Sequence, residues 1–302
     1  MIDPGLNIAG SVELRVFQLI RLLEECTGDR LSISVTKLPK SKQFRQDAWA
    51  IRQPAGAIMV FSKWSLLRLQ QRTLDILRWK GAFTCIDYVD IDLRIAADLN
   101  PDVHVAASLT AARSLERLTS GRIETGGKVM LLHHNLDERM SAPASCPTDR
   151  LRPVYFGALE NTVQTERIAE TVTFLRADRA DEVSQLFHQL EQFNLHYCVR
   201  TPNLTTEVIA KPFTKGFVAS QFGVPVLIDR SVDDAQLLLG EDYPYLIPDT
   251  SEESILTGLR NIDLTFGGPA WLDAKERVLS LQNYCSRRAI SRQFMDIVSY
   301  LT

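Results

Sequence analysis

Cysteine is scarce and scattered: the five thiols, Cys26, Cys85, Cys146, Cys198 and Cys285, form no Cys-x-x-Cys pair in 302 residues. An odd, dispersed set supplies neither a disulfide frame nor a zinc cluster, and it fits reduced thiols in the cytoplasm. No apolar run approaches the ~20 residues that a membrane-spanning helix needs. The opening stretch MIDPGLNIAGSVELR lacks a basic segment and an apolar core, so no signal peptide is expected. Gly-x-Ser-x-Gly, Walker-type and Gly-x-Gly-x-x-Gly patterns are absent, which argues against hydrolase, P-loop and dinucleotide-dehydrogenase chemistry. Basic and aromatic residues are not interleaved as nucleic-acid contact would require, so no nucleic-acid partner is expected.

What is present is ordinary globular composition, 45% hydrophobic and 24% charged, over a length that suits two lobes. The net charge of −3 is unevenly spread: residues 1–80 hold 13 Lys+Arg against 7 Asp+Glu, and the remainder is acidic. A basic first part can attract an anionic acceptor or the inner face of an anionic membrane, and it can equally be solvated surface charge.

Short apolar runs alternate with helical periodicities along the whole chain, the pattern of parallel sheets with crossover helices. The spacing predicts a helix over Val12–Cys26 and a strand over Leu31–Val35. A strand at Ala57–Phe61 and a helix over Ser65–Trp79 follow, then strands at Phe83–Ile86, Val103–Ala106 and Lys128–Leu132. Ser141–Pro153, with three prolines and no period, reads as a linker. The alternation then restarts with strands at Val154–Phe156, Thr171–Leu175, Leu195–Val199 and Pro225–Ile228. Helices are expected from about Thr162, over Glu182–Gln192, near Thr214–Phe222 and Glu252–Ile262, and in a long tail from Trp271 to Leu301. The expected fold class is α/β, with two Rossmann-like domains, 1–140 and 151–302, facing each other across a cleft where strand ends converge.

Residues 211–228 read KPFTKGFVASQFGVPVLI. This segment resembles the donor-binding segment of GT-B glycosyltransferases, Asn-Lys-x-x-Glu-Tyr-x-Ala-x-Gly-x-Pro-Val-Ile, of the retaining, family 4-like type. Thr214-Lys215 falls on Asn-Lys, and Gly223 to Leu227 falls on Gly-x-Pro-Val-Ile in register. Val154 to Asn161 resembles the glycine turn that opens the second lobe of these enzymes. The loop from Asp242 to Asp249 and the long terminal helix also match the family. The resemblance implies a transferase that moves a sugar from a nucleotide-sugar donor to a glycan, lipid-linked or protein acceptor, as in polysaccharide biosynthesis, without a further cofactor. It implies donor contacts from Gly157, Asn161, Arg200, Lys211 and Lys215, and from the first-lobe glycine loop Gly10-Ser11. At one position the sequence departs from the family: Val218 stands where a Glu usually accepts hydrogen bonds from the ribose. Either another group reads the ribose, or the donor is unusual, or the site is degenerate; an inactive GT-B-like binding or scaffolding subunit is the alternative function.

The chemistry is consistent with that list. Breaking a sugar–phosphate bond leaves negative charge on the diphosphate, which cations and helix N-terminal amides can stabilise. Lys215, Lys211 and Arg200 supply cations, Gly157 permits close backbone approach, and Asn161 can cap a following helix. His133-His134-Asn135-Leu136-Asp137 ends a strand at the cleft mouth. His134 and Asp137 are candidate acid/base or sugar-contacting groups, and Asp90, beyond the strand ending near Asp87, is a candidate base. The plain alternatives are backbone-satisfied histidines and a solvated turn. His-His-x-x-Asp lacks a third convergent ligand, so no metal is expected.

Overall fold

The computed structural model describes residues 13–40, 42–120, 127–140, 146–177, 186–201, 209, 211–232 and 234–302. Gly10 and Ser11, and the first part of the expected linker, 141–145, lie outside the described residues.

The first lobe is built on four parallel strands, β1 (Ile58–Ser62), β2 (Phe83–Asp87), β3 (Val103–Ala106) and β4 (Lys128–Leu131), in the order β1-β2-β3-β4. Val60 is in register with Cys85, and Cys85 with Val103. β2 and β3 are covered on both faces, so their buried residues show no in-out alternation, and Thr84 and His104 are buried with their apolar neighbours. Phe61, Leu74, Leu77, Ile86 and Leu93 fill one face.

The second lobe carries five parallel strands, β5 (Pro153–Gly157), β6 (Thr173–Arg176), β7 (Leu195–Tyr197), β8 (Val226–Asp229) and β9 (Leu246–Ile247), in the order β6-β5-β7-β8-β9. The winding direction reverses at β5. The crevice beyond the carboxyl ends of β5 and β7 is therefore the switch point at which open α/β sheets bind ligands.

Several expectations need correction. Leu31–Val35 is not a strand: Val35 is 45% exposed, and among the described residues the segment pairs with no strand, leaving β1 at the open edge of its sheet. Ser65–Trp79 divides into helices Lys63–Leu66 and Gln71–Trp79, with a turn at Leu67–Gln70. The helix expected from Thr162 is a single turn, Glu166–Ala169, capped by Thr165, because Thr162 is turned inward to donate to the Val199 carbonyl at 2.8 Å. The tail is broken into helices Pro269–Ser280, Gln282–Cys285 and Arg287–Leu301, with Ser286 capping the last.

Two features join the lobes. The last helix, Arg287–Leu301, lays Ile290, Ile297 and Leu301 against Leu19, Leu22, Cys85 and Val103 of the first lobe. The buried Asp234 carboxylate of the second lobe accepts from Leu109 N (2.7 Å), Thr110 N (2.8 Å) and Thr110 Oγ1 (2.7 Å), capping first-lobe helix Leu109–Thr119. Asp234 adopts a left-handed backbone (φ 64°) to reach across.

Candidate active site

Both lobes line a cavity of about 330 Å³ at the switch point. Its second-lobe wall begins with Gly157, the last residue of β5, at φ +124°, where an L side chain is strained. A Cβ there would lie 3.2 Å from Lys215 Nζ, so the glycine leaves room for that ammonium. Lys215 stands in the first turn of helix Thr214–Phe222, which has no acidic residue there and no side-chain cap. Its Nζ donates to the Phe156 carbonyl and lies 4.1 Å from the Tyr155 ring centroid and 4.3 Å from that of Phe156. The side chain is only partly buried by area, but its ammonium is enclosed by rings and backbone. Burial, reinforced by the Arg200 charge, lowers its pKa to about 8.

Arg200 follows β7. It donates from Nη2 to the Pro212 carbonyl at 3.3 Å, while Nη1 is buried without a hydrogen-bond partner. A buried guanidinium nitrogen with no acceptor is expensive unless a ligand supplies one. Lys211 lines the same cavity just ahead of the helix.

The first-lobe wall is organised by Arg15, a buried residue of the π-helical turn Glu13–Gln18. It forms a bidentate pair with Asp87 at the end of β2 (2.8 and 3.0 Å) and donates to the His133 carbonyl beyond β4 at 2.6 Å. Gln293 of the last helix accepts from His133 N at 2.8 Å. These contacts fix the run His133–Asp137 at the cleft. Burial, with the nearby Arg15 charge, lowers the His134 pKa to about 3, so its imidazole is neutral at physiological pH. His134 Nδ1 and Asn135 Oδ1 are buried without partners.

No protein-family profile matches the sequence, and no curated protein does. Among solved structures, the chain resembles sucrose-phosphate synthase from Thermosynechococcus elongatus (TM-score 0.60, 15% identity, 99% of this chain and 96% of that one). It resembles the lipopolysaccharide outer core galactosyltransferase WaaB in its apo form comparably (TM-score 0.61, 10% identity, 98% of each chain). Anabaena HepE in complex with UDP aligns over 84% of this chain and 80% of its own (TM-score 0.56, 13% identity). The match to the GtfA/B complex spans 86% of this chain but 61% of that one.

The fold is GT-B.

Within the GT-B cleft, Asp90, His134, Asp137, Gly157, Asn161, Arg200, Lys211 and Lys215 all line one cavity. Their surroundings differ. Asp90 has a positive φ of 51° and pairs with Lys63 at 3.5 Å. Asp137 is held by Arg139 from two guanidinium nitrogens (2.8 and 2.5 Å) and accepts from Gln18 at 3.0 Å. Burial opposes ionisation of Asp137, but these bonds outweigh it and its pKa is lowered. Asn161 caps no helix, contrary to expectation: it lies inside the 3₁₀ turn Leu159–Asn161, and the next helix takes Thr165 as its cap.

Sequence reasoning missed Arg15, Asn135 and Arg139. Asn135 and Arg139 lay in plain view beside His134 and Asp137. Nothing in the local sequence marks Arg15, whose partners are 72 and 118 residues away. Val218 is buried and lines the cavity beside Phe217. Among the described residues no cluster of His, Cys, Asp or Glu is arranged to hold a metal ion, and no helix is long and apolar enough to cross a membrane.

Proposed function

We propose that this chain is a glycosyltransferase that takes a nucleoside-diphosphate sugar as donor and a hydroxyl of a glycan, lipid-linked or protein substrate as acceptor. The observation that carries the reading is the convergence of Lys215, Arg200, Lys211 and the uncapped start of helix Thr214–Phe222 on one cleft beside Gly157. A diphosphate there would accept from the unpartnered Arg200 Nη1 and restore full charge to Lys215. As the bond between the anomeric carbon and the phosphate oxygen breaks, these groups stabilise the negative charge left behind. The neutral His134 and Asn135 face the same space with unpartnered polar atoms suited to sugar hydroxyls.

Asp90 and Asp137 are each paired with a cation, which disfavours either as a strong base for the acceptor. That supports transfer with retention, in which the acceptor oxygen bonds the anomeric carbon on the side the phosphate leaves and its proton passes to that phosphate. The neighbours supply analogy in kind: HepE was solved with UDP, and the pneumococcal O-GlcNAc transferase GtfA with UDP and GlcNAc.

Titration calorimetry with UDP, GDP, CMP and dTDP tests the reading. Binding of at least one nucleotide, with release of free sugar from the matching donor, is expected. Val218 favours a second reading, a GT-B subunit that binds or scaffolds without turnover. Failure of every nucleotide to bind would select that reading.

A further inference from the structure

The helix Gln43–Ile51 carries apolar side chains on both faces: Trp49 packs inward against Phe61, with ring centroids 6.4 Å apart. Gln46 and Ala50 face inward and are buried, while Phe44 (63% exposed), Ala48 and Ile51 (50%) form an outward stripe at i, i+4 and i+7. The inward face is also tied by a polar side chain. The Gln46 side chain donates to the carbonyls of Arg68 (2.9 Å) and Pro39 (3.4 Å) and accepts from Thr73 (2.9 Å), holding two loops and a helix together. Around these apolar side chains stand the exposed cations Lys40, Lys42, Arg45, Arg52, Arg68 and Arg72. The neighbouring carboxylate, Asp47, is already paired with Arg72 at 3.0 Å.

We infer that this face of the first lobe docks on an anionic lipid bilayer. Aliphatic and aromatic side chains ringed by arginine and lysine match an interface whose headgroups are negative and whose acyl layer begins a few ångströms below. Ile51 would offer nothing to a nucleic-acid backbone, whereas it and Phe44 can enter the acyl layer. The docking itself does not depend on the donor reading.

Co-sedimentation of the whole chain with phosphatidylcholine/phosphatidylglycerol vesicles and with phosphatidylcholine vesicles tests this. Binding to the mixed vesicles, weakened by salt and weak on phosphatidylcholine, is expected. In Arg45→Gln/Arg52→Gln, each lost cation should reduce partitioning about fivefold. Phe44→Ser/Ile51→Ser, with charge unchanged, should reduce it at least tenfold. Both variants should keep the parent's nucleotide affinity, circular dichroism spectrum and thermal midpoint, so loss of vesicle binding is not loss of fold. Equal binding to both vesicle types, insensitivity to Phe44→Ser/Ile51→Ser, or self-association through the patch abolished by that variant would overturn the inference.

Discussion

Replacing Lys215 by Met should make the unliganded protein more stable while disabling nucleotide binding. The ammonium is enclosed by Tyr155, Phe156 and Gly157 and faces a second cation, Arg200. Its pKa falls from 10.5 to about 8, which corresponds to at most about 3 kcal/mol against the charged form. Loss of the bond to the Phe156 carbonyl and of the ring contacts offsets part of this. A net gain of about 1–2 kcal/mol at pH 7, a rise of several degrees in thermal midpoint, is expected. The sign follows from linkage: the folded pKa is depressed, so the penalty is complete below pH 8 and fades as pH rises through 10.5. The difference between parent and variant should close over that window.

A bound diphosphate reverses the shift. Calorimetry near pH 8 should then show proton uptake by the parent, read as a binding enthalpy that changes with buffer, and none by Lys215→Met. Phosphate groups with a second pKa near 6 are already ionised there, so the proton goes to the protein. UDP, or whichever nucleotide binds, should lose more than tenfold in affinity, about 1.4 kcal/mol. A variant less stable than the parent at pH 7, or one that binds nucleotide as tightly, would refute the reasoning.

Acid should unfold the protein early. Burial lowers His134 and His196 to about 3, so the unfolded chain takes up protons that the folded one refuses as pH falls below 6.5. Stability should therefore drop with a limiting slope of roughly 2–3 kcal/mol per pH unit for the two groups, measurable by urea titration between pH 6.5 and 4. Asp234→Ala removes the acceptor of two backbone N–H groups and a hydroxyl across the lobes. It should cost about 2–3 kcal/mol in chemical denaturation, and an unchanged midpoint would mean that the capping bonds carry no stability.

Much of this molecule was legible in its sequence because parallel strands buried on both faces read as short, mostly apolar runs rich in β-branched residues. FTCI, VHVA and VLI fit that pattern despite Thr84 and His104, and the segment from Thr214 to Leu227 carried its helix and its glycine stop together. Leu31–Val35 misled because a short run of β-branched residues becomes a strand only if the chain is laid along a sheet edge, and sequence does not show that placement. The break at Ser286 was hidden because helical periodicity survives a one-residue cap. At the cleft, residue types pointed to the right neighbourhood but not to their state. Asp137 reads as an acid/base candidate until Arg139 is seen to hold it, and Lys215 reads as a donor-binding cation with nothing to mark its lowered pKa until the rings enclosing it are seen. Arg15 was invisible because its role exists only once distant strand ends meet.

The backbone passes from the first lobe to the second after Met140 and returns with the last helix, so two tethers cross between the halves. Opening must then be a bend about an axis through both crossings, which favours hinge rotation over sliding. A cut in the connecting stretch would not free the pieces. The leading fragment would expose Leu19, Leu22 and Val103, and the trailing one Ile290, Ile297 and Leu301. Those greasy, complementary surfaces make the connection a natural breakpoint for reassembling the protein from two separately made parts.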